Sequence, residues 1–241
     1  MQTVAVAIIC KTPMAGKSKT RLSPPLRPEE CAAISSCFIQ DLSSTIQSLA
    51  DDGGVTGYAV YTPAGSEAAL RPLLPDRFAF ALQGEGDLGA RLLRGTADLM
   101  NAGHAGAILV NSDSPTLPKQ ILRDAVDAVR RGGDNVVLSP ALDGGYTLIG
   151  LSKPHARLFE GIPWSTSAVY RLTLDRAREI GLPVINVPGW YDVDDEASFG
   201  MLKAEFAGHR PAFAAPGLVG TLAPATRKFV GARKNALAMQ S

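Results

Sequence analysis

Residues 11–22 read Lys-Thr-Pro-Met-Ala-Gly-Lys-Ser-Lys-Thr-Arg-Leu, which gathers Lys11, Lys17, Lys19 and Arg21 directly behind an apolar run at residues 3–10. That run reads as a buried strand, so the cations sit at its carboxyl end, the edge of an open α/β sheet where ligands bind. Pro13 and Gly16 bend the loop and let its backbone approach a ligand. Clustered cations at such an edge suit a polyphosphate. Gly16-Lys17-Ser18 resembles the end of a Walker A motif, but that pattern needs glycine at position 11, where this chain has Lys11, and Pro13 interrupts it. A merely solvated basic loop is the plain alternative.

Three further groups could do chemistry. Asn111-Ser112-Asp113-Ser114-Pro115 follows an apolar run, so Asp113 stands at a strand's carboxyl end. A carboxylate there, facing cations, makes sense if Mg2+ or Mn2+ lies between it and phosphate oxygens; capping of the next helix is the rival role. Asp192-Val193-Asp194-Asp195 offers a second acid. In an extended segment Asp192 and Asp194 share one side, and Asp195 suits a helix cap. Asp143-Gly144-Gly145-Tyr146 puts a carboxylate beside exposed backbone N–H groups, which could orient an acceptor or form a plain turn.

Gly84-Glu85-Gly86-Asp87-Leu88-Gly89 spells G-x-G-x-x-G between a predicted strand and a helix. Taken locally it is a dinucleotide fingerprint, with Asp113 where a ribose-binding acid would stand, and it admits an NAD(P)-dependent oxidoreductase. Against that, the motif follows the third strand rather than the first, and it leaves the basic loop without a role. The glycines also suit close passage of the backbone past a base or ribose, with Arg91 nearby.

The elements that must position these groups alternate along the chain. Strands are predicted at residues 3–10, 55–61, 78–82, 106–110, 136–139, 146–151 and 184–187. Between them come a long amphipathic helix from Pro28, a short one at 66–74, and others at 88–100, from Pro118, near 165–180 and from Asp195. The expected fold is α/β, a three-layer α/β/α arrangement with a mostly parallel, mixed sheet. From about Gly208 the texture turns Pro- and Gly-rich, then basic, so residues 1–207 form the predicted domain and 208–241 a C-terminal extension. The extension reads either as a surface for a subunit partner, giving a homo-oligomer, or as a loosely held tail.

Composition bounds the rest. A net charge of +1 gives no global pull toward nucleic acid or membrane, so the basic loop is a local feature. No apolar run reaches the roughly 18–20 residues that span a bilayer, and the start lacks a leader pattern, which points to the cytoplasm. Cys10, Cys31 and Cys37 lack C-x-x-C spacing and read as reduced thiols, and with three scattered histidines no zinc site is expected.

The ordered motifs K-x-P-x-x-G-x-x-K-T-R-L (11–22), G-D-L-G-x-R-L (86–92), D-S-P (113–115), D-G-G-Y-x-L-I-G-L (143–151), I-P-W-S-T (162–166) and D-V-D (192–194) together resemble the selenodomain-associated transferases. These are nucleotide-diphospho-sugar transferase-like proteins of the GT-A fold, sometimes labelled arsenosugar-biosynthesis glycosyltransferases. The 2-phospho-lactate and molybdenum cofactor guanylyltransferases are more distantly similar. The likeness covers residues 3–203 and departs in two places: Asn111-Ser112 stands where the family usually has Gly-Thr, and Asp195-Glu196-Ala197-Ser198 replaces a Thr-Pro-Glu-Asp run.

This resemblance implies that Lys19 and Arg21 hold nucleotide phosphates, with Lys11 and Gly16 beside them. Gly84, Gly86, Asp87, Gly89 and Arg91 would line the nucleoside pocket. Asp113 and Asp194 would ligate the metal, with Asp192 as the alternative, while Asp143, Gly144 and Trp164 would face the acceptor. Lys19, Arg21, Asp113 and Asp143 are thus the expected catalytic set. The expected activity is metal-dependent transfer, glycosyl or nucleotidyl, from a nucleotide-sugar or NTP to a small acceptor. A non-catalytic nucleotide-binding module is the further alternative.

Overall fold

The computed structural model describes residues 2–238. One seven-stranded sheet runs through it in the order β3-β2-β1-β4-β6-β5-β7. Its strands are β1 (Val4–Lys11), β2 (Val55–Thr62), β3 (Ala79–Leu82), β4 (Gly106–Asn111), β5 (Val136–Pro140), β6 (Tyr146–Leu151) and β7 (Val184–Asn186). All neighbours pair parallel except β6, which lies antiparallel between β4 and β5. The mixed sheet is therefore as expected, and the Asp143-Gly144-Gly145 turn closes the β5–β6 hairpin.

β1 shows why its sequence is almost continuously apolar. Val4, Val6, Ile8 and Cys10 face one core, while Ala5, Ala7 and Ile9 face the other. The first core is filled by α1 (Pro28–Asp51), α4 (Lys119–Arg130), α6 (Glu196–Phe206) and α7 (Pro224–Ala238). The second is filled by α3 (Leu88–Asn101) and α5 (Val169–Glu179). A short helix, α2 (Glu67–Leu70), links β2 to β3. Cys10, Cys31 and Cys37 are all free thiols, and burial pushes Cys10 up to about 12 and Cys37 up to about 11.

Two stretches differ from expectation. The helix anticipated from residue 165 begins at Val169, because Ser165 adopts a left-handed φ of 63° and Thr166 turns its hydroxyl onto the Pro163 carbonyl at 2.7 Å. The segment after Gly208 contains a helix that the alternation of strands did not announce, and it packs on the domain. Ala214 and Leu218 join the first core, with Phe213, Phe229 and Val230 against it. Asp41 of α1, 4% exposed, accepts from the Ala225 and Thr226 N–H groups at 2.9 and 2.8 Å and so caps α7.

Candidate functional site

The order of strands reverses between β1 and β4, and an open α/β sheet binds ligands at the carboxyl ends of the strands on either side of that point. A cleft of about 610 Å³ opens there. Its walls come from the loop after β1, the start of α3, the loops after β4 and β5, the segment 163–169 and the segment 190–194.

At its centre the Lys19 ammonium lies 2.7 Å from an oxygen of Asp113 and 2.7 Å from one of Asp194. The side chain is 6% exposed, against 34% and 29% for the two acids. Burial alone would lower the Lys19 pKa, but the charges and hydrogen bonds of Asp113 and Asp194 outweigh it, and the ammonium is held above its ordinary value. Lys19 keeps this position with φ 49°, ψ 40°. Non-glycine residues take that left-handed backbone at a cost of roughly 1–3 kcal/mol. Among the described residues only Lys19, Ser165 and Ala223 do so, and the first two line the cleft. Arg21, 70% exposed, reaches the other Asp194 oxygen at 3.1 Å.

The acids are held from behind. Asp113 follows β4, its carbonyl accepts from Val193 N–H at 2.8 Å, and its carboxylate accepts from Ser112 Oγ at 3.0 Å. Asp192 is half-buried and accepts from Ser114 Oγ at 2.6 Å. Burial raises its pKa to about 7, helped by the charges of Asp113, Asp143 and Asp194 and opposed by the Ser114 bond. Asp195 caps α6 in a reciprocal box with Ser198, as the sequence suggested, which fixes the backbone just past Asp194.

Gln83 lines the cleft and is the residue there that the sequence reading passed over. Its buried amide donates to the Cys10 and Val60 carbonyls at 2.8 and 3.1 Å and ties β3 to the floor of the cleft. A lone polar residue ending the apolar run 78–82 was the available signal. Arg91 reaches Gln83 Oε1 at 3.4 Å and the Gly86 carbonyl at 3.0 Å, so it lines the cleft with its charge turned toward the loop after β3. Of the residues expected to line a nucleoside pocket, Gly86 in that loop and Arg91 on α3 border the cleft. Asp87 instead caps α3, accepting from Ala90 N–H at 2.8 Å. Gly84, Gly89 and Gly16 are not among the lining residues. Gly89 serves packing: a Cβ there would meet Phe159 O at 2.8 Å and the Trp164 ring at 2.9 Å. Because this loop rises from β3, the edge strand, the G-x-G-x-x-G sequence does not follow either strand of the switch point, where a dinucleotide fold would place it.

On the opposite wall Asp143 is exposed, with one oxygen accepting from Gly145 N–H at 2.8 Å. Gly144, at φ 90°, lies so close to Ser167 that a Cβ would fall 2.3 Å from its carbonyl oxygen. The turn thereby docks onto the segment carrying Trp164, Ser165 and Thr166.

Among the described residues, no group of three or more His, Cys, Asp or Glu side chains is disposed to hold a metal ion by itself. Mg2+ asks less of a protein, commonly one or two carboxylates completed by phosphates and water. Asp113 and Asp194 meet that requirement, since both already converge on a single cation, the Lys19 ammonium. No helix among the described residues is long and apolar enough to cross a membrane.

Residues 45–166, half of the chain, match the family model described as "Uncharacterized protein conserved in bacteria (DUF2064)". No curated protein matches the sequence. Among solved structures, the chain is similar to a protein of Desulfovibrio desulfuricans G20 provisionally described as a nucleotide-diphospho-sugar transferase. The two share 25% identity and a TM-score of 0.81 over 100% of this chain and 98% of that one. It is also similar to a CMP:2-keto-3-deoxy-manno-octonic acid synthetase complexed with CTP (10% identity, TM-score 0.55, 86% and 99% covered). A third likeness is to a 4-diphosphocytidyl-2C-methyl-D-erythritol synthase of Anaerococcus prevotii DSM 20548 (8% identity, TM-score 0.54, 86% and 99% covered). The last two likenesses concern the fold alone. That fold is the nucleotide-diphospho-sugar transferase type anticipated from the motifs.

Proposed function

This chain belongs to the DUF2064 family, and from that premise we propose that it is a metal-dependent transferase acting on a nucleotide-sugar or nucleoside triphosphate donor. One observation carries the reading: Lys19 is clasped by Asp113 and Asp194 in a cleft at the sheet's switch point, with Arg21 beside them.

Lys19 and Arg21 bind donor phosphates, with Lys11 and Lys17 at the mouth of the cleft. Of the segment after β3, Gly86, Leu88 and Arg91 border the nucleoside. Asp113 and Asp194 would hold a divalent cation, which would supply neutralising charge for the departing phosphate. Lys19, preorganised by its strained backbone, adds a fixed positive charge where that negative charge develops. Asp143, held by Gly145 N–H, orients the acceptor and takes its proton. Glycosyl and nucleotidyl transfer use the same parts, since a nucleoside diphosphate and a pyrophosphate leave with similar charge. The neighbour complexed with CTP lends the nucleotide reading support from a shared fold.

Thermal-shift measurements with nucleotides, nucleotide-sugars and NAD, with and without Mn2+, test this. At a hundredfold excess over Kd a true donor adds about 2.7 kcal/mol, a rise of roughly 5–10 °C in a chain of this size. The expected result is such a rise for a nucleoside diphosphate, triphosphate or nucleotide-sugar in Mn2+. A rise with NAD alone, without metal, would favour the oxidoreductase; no rise with any nucleotide would end the proposal.

A further inference from the structure

The cleft is polarised in a way the donor does not explain. Among the described residues, every cation lining it comes from the end of β1, from the loop that follows or from Arg91 on α3. The lobe of its lining that comes from the β5–β6 turn and the segment leading into α5, with Asp143, Tyr146, Trp164, Ser165, Thr166 and Val169, carries no positive charge. The cations of the adjoining helix α5 are engaged elsewhere. Arg171 pairs with Asp175 at 3.2 Å, and Arg176 holds Glu179 at 2.6 Å and the Glu160 carbonyl at 3.0 Å. An acceptor carrying phosphate or carboxylate would therefore meet a carboxylate at Asp143 with nothing to balance it, beside a donor already rich in negative charge. The Ser165 hydroxyl, the indole of Trp164 and the Asp143 carboxylate are instead the groups that recognise hydroxyls and the apolar faces of rings.

We propose that the acceptor is an uncharged, hydroxyl-rich molecule of sugar or polyol type, seated in the lobe formed by Asp143, Trp164, Ser165 and Thr166. The inference rests on the transferase reading and narrows it. The acceptor oxygen forms its new bond to the donor's electrophilic centre while the bond from that centre to the leaving phosphate oxygen breaks. The bonding electron pair departs with the phosphate, and the hydroxyl proton passes to Asp143. Placement of Ser165 at a left-handed φ of 63° is what turns this segment into the cleft instead of continuing α5.

The test uses the full-length protein with Mn2+ and whichever donor gives the largest thermal shift. Release of the leaving group is followed with matched acceptors: glucose, glycerol and myo-inositol against glucose 6-phosphate, glycerol 3-phosphate and inositol monophosphate. At least one neutral member should raise turnover about tenfold above hydrolysis, with its phosphorylated partner at least tenfold poorer, a discrimination of the size expected for a misplaced charge. Thr166→Lys, which adds a cation to the lobe, should shift the neutral-to-phosphorylated preference by about tenfold toward the phosphate. Preference for the phosphorylated series, no neutral member above the hydrolysis rate, or an unchanged preference in Thr166→Lys overturns the inference and leaves the transferase reading standing. Absence of any donor-dependent shift overturns the transferase reading itself, and the inference with it.

Discussion

The two walls of the cleft are built on opposite principles. The cationic wall is one short loop in which Lys11, Lys17 and Arg21 reach into solvent, and only Lys19 is locked in place. The acidic wall is assembled from distant loops and braced from behind. The brace begins with Ser114 on Asp192 and Val193 N–H on the Asp113 carbonyl. It continues through Thr116, which accepts from Trp190 Nε1 at 3.1 Å and donates to Glu205 at 2.9 Å, while Tyr191 donates to Glu205 at 2.6 Å. The C-terminal segment closes it, with Thr221 bonded to Thr116 and Pro115. A buried network of this kind fixes geometry in advance, whereas exposed cations adjust to what arrives. The contrast suits a site in which the acids define a position and the cations accommodate a polyphosphate.

Substitutions can break this contrast at graded cost. Asp113→Asn keeps shape but removes a charge from the preorganised wall. Turnover should fall by about a thousandfold, metal-dependent nucleotide binding should vanish, and the melting temperature should hold. Retained metal-dependent affinity would remove Asp113 from its assigned place. Lys19→Met leaves two carboxylates facing each other. Breaking a buried pair costs about 3–5 kcal/mol, and since both acids are partly exposed about 2–3 kcal/mol is expected. Urea unfolding would measure it, and affinity should drop more for a nucleoside diphosphate than for the nucleoside. Equal losses for both ligands would detach Lys19 from the phosphates.

Loosening the brace should do less. Asp41→Ala removes the cap of α7 and should cost about 1–2 kcal/mol, with turnover changed little. A loss below the error of unfolding measurements would mean that α7 is held by its apolar contacts alone. Glu205 gives the smallest effect, visible only against pH. Burial raises its pKa above the ordinary 4.5, so the folded protein binds more protons than the unfolded chain from that value upward. Stability from this group is therefore full below the ordinary value and is lost as pH rises through the raised one. Glu205→Gln should flatten that slope, and an unaltered pH profile would show that Glu205 does not carry it.

The cationic wall was legible in the sequence because its residues are neighbours in the chain, and a basic cluster behind an apolar run needs no tertiary information. The strands were legible for a similar reason: burial on both faces leaves a continuous apolar signature, as in β1. Asp113 and Asp194 stood out by position and by likeness, yet their convergence on Lys19 depends on sheet order, which local pattern does not encode. Gln83 was missed because its importance lies in carbonyls of two other strands. The start of α5 was misplaced because Ser165 departs from helix in a segment that docks through Ser167 on the Gly144 turn, a contact between distant parts of the chain. Residues 208–238 looked detachable because Pro and Gly interrupt periodicity, although Ala214 and Leu218 are buried in the core.

The central claim is that the two walls share one ligand. Crystals grown with Mn2+ and the nucleotide that stabilises the protein most would test it through the anomalous signal of manganese. The expected result is a peak within ligand distance of Asp113 and Asp194, with the phosphates against Lys19 and Arg21. A nucleotide lying along Gly84–Gly89, with Lys19 still clasped between the two acids and no metal beside them, would contradict it.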